Sequence, residues 1–208
     1  DAALNYNSDA NMDDGSCIQV ITQENINAAA DLWDENPVLA ESKYGHISSW
    51  NVSNISNMSN MFSNATNFNA DLSSWDVSNV TNMQGMFSNA TNFNADLSSW
   101  DVSNVTDMLA MFNEAWSFNQ DISNWNVSSV NNMSSMFNGA LIFNADLSSW
   151  DVSNVTNMSY MFRDCESFNC DLSGWNISNV TNIQSMFSGS NVALSNENKC
   201  YINNSFSL

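Results

Sequence analysis

Apolar residues along this chain fall into a block that recurs every 25 residues. Tryptophans stand at Trp50, Trp75, Trp100, Trp125, Trp150 and Trp175, and Met-Phe pairs keep the same step from Met61-Phe62 to Met186-Phe187. With Leu72 to Asp96 as the unit, the first half reads L-x-x-W-x-V-x-x-V. Trp75 and Val77 alternate with Ser74, Asp76 and Ser78, the period of a short, half-buried strand. In the second half Met83, Met86, Phe87 and Ala90 occupy positions i, i+3, i+4 and i+7. That spacing predicts one face of a short helix, which Thr81 or Asn82 can cap. Phe93 closes the unit, and Asn94 to Asp96 turn the chain into the next one.

A unit this small buries its apolar face only by stacking on its neighbours, so a fixed period over about six copies predicts a solenoid. The expectation is an α/β repeat solenoid with one short parallel strand and one short helix per 25-residue repeat. Strands should lie about 4.8 Å apart, with Trp, Val, Met and Phe in internal columns. The phase of each tryptophan with Val77-type and Phe87-type positions assigns it to the core and not to a ligand platform. The expected organisation is a short Cys-bounded module at 1–19, a helical cap at 20–46, repeats at 47–190 and a C-terminal cap at 191–208.

Composition narrows the functional classes. Net charge is −19, and the basic side chains are Lys43, Arg163 and Lys199, with one histidine, His46. Phosphate recognition needs clustered Lys or Arg, so nucleic-acid binding and attraction to anionic lipid are excluded as expectations. No apolar run approaches the roughly 18–20 residues that span a bilayer, so no membrane insertion is expected. The chain opens on Asp1 with no initiator Met or signal peptide, as a processed product would. Catalysis finds no support: His46 has no companion nucleophile motif, and no phosphate loop or zinc triad is present.

Two acidic rows run in register. Asp71, Asp96, Asp121, Asp146 and Asp171 share one corner, where an Asx-type turn is the favoured reading and calcium bridging the alternative. Asn51, Asp76, Asp101, Asn126, Asp151 and Asn176 lie on the expected outer strand face beside serine rows. Solvation is the simplest role for that face. Ser74, Asp76, Ser99, Asp101, Ser149 and Asp151 are its candidate binding residues for carbohydrate or protein, and Asp76 with Asp101 its best cation pair. Asp9, Asn11, Asp13 and Asp14 echo a calcium-loop spacing, although the late bidentate Glu is missing. No cofactor is required by these motifs; calcium is the candidate ion.

Asn-x-Ser/Thr sequons recur at Asn51, Asn79, Asn104, Asn154 and Asn179. They are glycosylation candidates, although an Asn- and Ser-rich repeat also generates them by composition. Of the four cysteines, Cys165 takes an alanine position and reads as a buried thiol. Cys170 and Cys200 are the candidate disulfide, clamping the last coil. Cys17 has no obvious partner within the chain.

The L-x-x-W-x-V-x-x-V block followed by M-F-x-x-A resembles the BspA-like leucine-rich repeat family, in the subtype with repeating W-D-V-S-N-V-T-N-M segments. The resemblance covers roughly residues 20–208. It implies a leucine-rich-repeat-like right-handed coil, with Ala30 to Ile47 in the N-terminal cap and Leu194 to Phe206 in the C-terminal cap. It also implies a secreted or cell-surface protein with a structural or adhesive role. Residues 1–17 resemble a Cys-bounded module of secreted multidomain proteins. The expected partners are further copies of the chain, giving filaments or a surface layer, or an extracellular protein or glycan met through the Ser/Asp face. A passive calcium-stabilised coat is the third expectation.

Overall fold

The computed structural model describes residues 18–190, in which a small helical cap is followed by stacked coils of 25 residues. Helix α1, Ile26–Glu35, buries Ile26, Ala29, Ala30 and Trp33. Pro37 starts α2, Pro37–Tyr44, and the Asn36 side chain caps it by accepting from the Leu39 N–H. Both helices fall within the stretch expected to form the cap. A 3₁₀ turn, Ile47–Ser49, leads to Trp50 and the first coil.

Stacking of the coils in parallel is as the period predicts. Bridges join Asn57 to Asn82, Asn82 to Asp107, Asp107 to Asn132, Asn132 to Asn157 and Asn157 to Asn182. The internal columns are also as expected: Trp75, Val77, Val80, Met83, Met86, Phe87, Ala90 and Phe93 are all buried, as are their equivalents in the next three coils. Phe62, Phe87, Phe112, Phe137, Phe162 and Phe187 stack with centroids 5.6–5.8 Å apart. In the first five of these coils a second phenylalanine packs at 3.9–4.0 Å, as Phe93 does on Phe87.

The secondary structure of the unit differs from expectation in both halves. Met83 to Ala90 is not a helix but a run of tight turns. Met86, Ser88 and Ala90 donate their N–H three residues back, to Met83, Gly85 and Phe87. The alternate N–H groups, of Met83, Gly85, Phe87 and Asn89, reach the carbonyls of Asp107, Leu109, Met111 and Asn113 in the next coil. Residues 85 and 89 have left-handed φ of 60° and 59°, each at the third position of a turn, as type II turns require. A helix would have spent all these N–H groups internally and left neighbouring coils without a backbone ladder. Gly85, Ser88 and Asn89 are weak helix formers, and Gly and Asn tolerate positive φ.

The expected strand at Trp75 and Val77 is absent too. Among the described residues the parallel pairing is reduced to single bridges in the Asn82 column. The N–H groups of Trp75 and Val80 close local turns onto Leu72 and Val77, so this side has few backbone groups left for its neighbours. Side chains replace the ladder. From the second coil on, the indole N–H of the tryptophan column donates 28 residues back: Trp75 to the Ile47 carbonyl, Trp100 to Leu72, Trp125 to Leu97, Trp150 to Ile122 and Trp175 to Leu147, at 2.9–3.1 Å. A buried indole needs such an acceptor. Trp75 and Trp100 lie parallel at 6.5 Å, as do Trp125 and Trp150.

Candidate functional site

The two acidic rows sit on exposed corners, and local hydrogen bonds account for one oxygen of each side chain. In the first row Asp71, Asp96, Asp121, Asp146 and Asp171 accept through Oδ1 from the N–H of the serine two residues on, at 2.8–3.0 Å. These are Asx turns. In the second row Asp76, Asp101 and Asp151 accept from Ser78, Ser103 and Ser153 in the same way, at 3.0–3.1 Å. The backbone N–H, then the hydroxyl, of the following serine holds Asp71, Asp96 and Asp146 below the usual carboxylate range. For Asp76, Asp101, Asp121 and Asp151 the hydroxyl is the larger cause and the N–H the smaller, with the same direction. Favourable hydrogen bonds to the ionised form explain that direction.

The serines of the proposed binding face are committed to the fold. Ser74, Ser99 and Ser149 donate their hydroxyls to the carbonyls of Ser48, Ser73 and Ser123 in the preceding coil. Asp76 and Asp101 stand in adjacent coils. Among the described residues no three Asp, Glu, His or Cys side chains converge where they could hold a metal ion. Asp9, Asn11, Asp13 and Asp14 lie outside the described residues.

The sequons also have a structural job. The Nδ2 of Asn79, Asn104, Asn154 and Asn179 donates to the carbonyls of Ser53, Ser78, Ser128 and Ser153, at 2.7–2.8 Å. The Thr hydroxyls of these sequons, at 81, 106, 156 and 181, donate to the preceding coil as well. Asn51 differs: it stands in the first coil, is exposed, and holds Ser53 through its Oδ1.

Among the described residues Cys170 forms no disulfide. Its buried Sγ accepts from the Leu147 N–H at 3.2 Å and donates to Asp146. That seat fixes the sulfur against the preceding coil; Cys200 lies outside the described residues. Burial pushes the Cys170 thiol up to about 11. Cys165 is buried at the alanine position, as expected, and donates to the Phe137 carbonyl. His46 is used locally, with Nδ1 2.8 Å from the Ser48 hydroxyl and its ring edge-on to Trp33.

Two features escaped the repeat pattern because they are departures from it. Trp116 and Ile142 are about half exposed; the Trp116 column elsewhere carries Thr66, Thr91, Leu141, Glu166 and Asn191, and the Ile142 column Asn67, Asn92, Ser117, Ser167 and Val192. The Trp116 indole N–H donates to Glu114 at 2.9 Å. The signal was a break in the 25-residue step, which a search for regularity passes over. The second feature is a cleft between α1 and the first coil, lined by Ala30, Asp31, Asp34, Glu35, Met61, Phe62, Ser63 and Ala65.

Fold and surface together define a 25-residue-repeat solenoid stitched by side-chain ladders and displaying acidic corners. The chain belongs to the family described as "Mycoplasma protein of unknown function, DUF285", whose model matches residues 34–140 and 98–201. No curated protein matches. Among solved structures, "Crystal structure of TLR13-ssRNA13 complex" is similar at 15% identity and a TM-score of 0.26. The match covers 68% of this chain, which spans 23% of that one. So distant a likeness carries no argument about fold or function.

Proposed function

We propose that the protein is a non-enzymatic structural or adhesive repeat protein of a cell surface or extracellular space. Membership of the repeat family supports this reading, as does the resemblance of its W-D-V-S-N-V-T-N-M segments to BspA-like surface proteins. The observation that carries it is the constant register of the exposed corners. Five successive coils present the same aspartate, Asp71 to Asp171, each oriented by the same Asx turn. A rigid array of identical groups suits multivalent contact, in which weak single contacts sum to strong avidity. The partner is a further copy of the chain, giving a filament or layer, or an extracellular protein or glycan.

Electron microscopy of the purified protein, with and without calcium, tests assembly, and retention of protein-coated beads on cells tests adhesion. Filaments or specific retention support the reading. Monodisperse particles that do not retain beads would remove it.

A second reading, recognition through Asp76, Asp101 and Asp151, is favoured by their ionised, exposed carboxylates. It requires that neutralising these three residues abolish binding to a glycan or protein array. Calcium belongs to this reading as the candidate ion of the acidic rows.

A further inference from the structure

Four carbonyls in each of the five later coils accept N–H groups from the coil before: residues 82, 84, 86 and 88 from 58, 60, 62 and 64, and so on to residues 182–188. The first coil has no coil before it, and α1 and the turn leading into it lie against this edge instead. The Gln23 amide stands in for a peptide group: its Oε1 accepts from the N–H of Ser56 and Asn57, and its Nε2 donates to Asn57 O at 2.7 Å. Four residues on, Asn27 Nδ2 donates to Ser59 O at 3.3 Å.

The next residue in the series is Asp31, followed by Asp34 and Glu35, and a carboxylate cannot donate. Met61 O and Ser63 O, the last two carbonyls of the edge, accept no hydrogen bond from any described residue. They line the cleft of about 140 Å³ with those carboxylates, over a floor of Phe62, Ala65 and Ala30. No basic residue lines it. The site therefore offers acceptors and negative charge above an apolar floor, and lacks donors.

We propose that this open end of the ladder docks a basic side chain, an arginine, of a partner polypeptide. A guanidinium brings five donors in one plane, enough to serve a carbonyl and a carboxylate together, and its alkyl stem suits the apolar floor. Burial, then the charges of Glu35 and Asp31, hold the Asp34 carboxyl above its ordinary range, as expected of carboxylates crowded without a cation. Among the described residues no three Asp, Glu, His or Cys side chains converge here, so a metal ion would have to rest largely on the two carbonyls. A second copy is disfavoured as the occupant of this cleft, because the chain has three Lys or Arg to offer it. Of those, Arg163 pairs with Asp164 and Lys43 lies over Tyr44.

The test is titration of the full chain with a blocked Gly-Arg-Gly peptide, followed by backbone NMR, beside the neutral citrulline peptide. The arginine peptide should shift the amide signals of 31–35 and 61–65 saturably, and the citrulline peptide should not. Asp31→Asn and Asp34→Asn should each weaken binding about tenfold. Asp31→Asn should also raise thermal stability, because its new amide can donate to Met61 O as Asn27 does to Ser59 O. Equal shifts from both peptides, variants that bind as the parent does, or shifts that track self-association of the chain would each overturn the proposal. Loss of bead retention or of filaments leaves this test untouched, so the two readings fail separately.

Discussion

Replacing Ala110 by glycine should stabilise this protein, the opposite of what a helix would give. Ala110 has φ of 53°, and the equivalent residues Asn60, Gly85, Ser135, Tyr160 and Ser185 are also left-handed. An L-residue in that region carries a penalty of roughly 1–2 kcal/mol, which glycine avoids. Glycine loses more backbone entropy on folding, about 0.5–1 kcal/mol. The net gain is therefore about 0.5–1 kcal/mol, or a rise in Tm of about 1–4 °C for a chain of this size. The ladder bond from the Ala110 N–H to Ser134 O, 2.9 Å, is unaffected. The reverse change supplies the control. At Gly139, φ is 71° and a Cβ would lie 2.7 Å from the Glu114 carboxylate of the preceding coil, so Gly139→Ala should lower Tm. Thermal and urea unfolding followed by tryptophan fluorescence measure both. In an α-helix the same Ala→Gly change costs about 1 kcal/mol. A destabilised Ala110→Gly beside an unaffected Gly139→Ala would refute the turn assignment.

Further outcomes follow from the other contacts. Trp125→Phe removes the indole donor to Leu97 O and leaves a cavity where the fused ring packed, so it should cost more than the about 1 kcal/mol of the lost hydrogen bond in urea unfolding. Seven aspartates, Asp71, Asp76, Asp96, Asp101, Asp121, Asp146 and Asp151, have folded pKa values below the unfolded one. Their contribution is complete above the unfolded value, about 3.9, and is lost as pH falls through the folded values. Melting temperature from these groups should be level above about pH 5 and fall on acidification below about pH 4. Burial raises both thiols, Cys165 and Cys170, so iodoacetamide at pH 8 should label them much more slowly in the folded than in the urea-unfolded chain, as mass spectrometry would read. Asn104→Asp replaces the donor to Ser78 O by a carboxylate and should destabilise more than Asn51→Asp, whose residue uses its Oδ1.

The period was legible because burial imposes it: every column of Trp, Val, Met and Phe sits inside, where the spacing puts it. Secondary structure was not, because side-chain periodicity reports which way a residue faces and not where its N–H goes. Met83, Met86, Phe87 and Ala90 share one buried face in a chain of tight turns as readily as in a helix. The distinguishing signal was Gly85 with Asn89, two residues that tolerate positive φ four apart, repeated as Asn60 with Asn64. The Asx reading of the first acidic row came from local chemistry within three residues, which sequence displays directly. The commitment of Ser74 and Asn79 to carbonyls 26 residues away depends on stacking geometry that no local motif carries.

Stacked phenylalanines and ladders that join each coil only to its neighbours have a mechanical consequence. Tension between the chain ends loads one inter-coil seam at a time, so the solenoid yields by shedding coils from an end and not by global rupture. A folded coil contributes about 6 Å of axial length, the spacing of the phenylalanine column. The 25 residues it releases extend to roughly 80–90 Å. Each shed coil therefore lengthens a tether more than tenfold locally while the rest stays folded, and it can rewind onto the end left behind. Pulled from both ends, such a molecule behaves as an extensible spring that limits peak force.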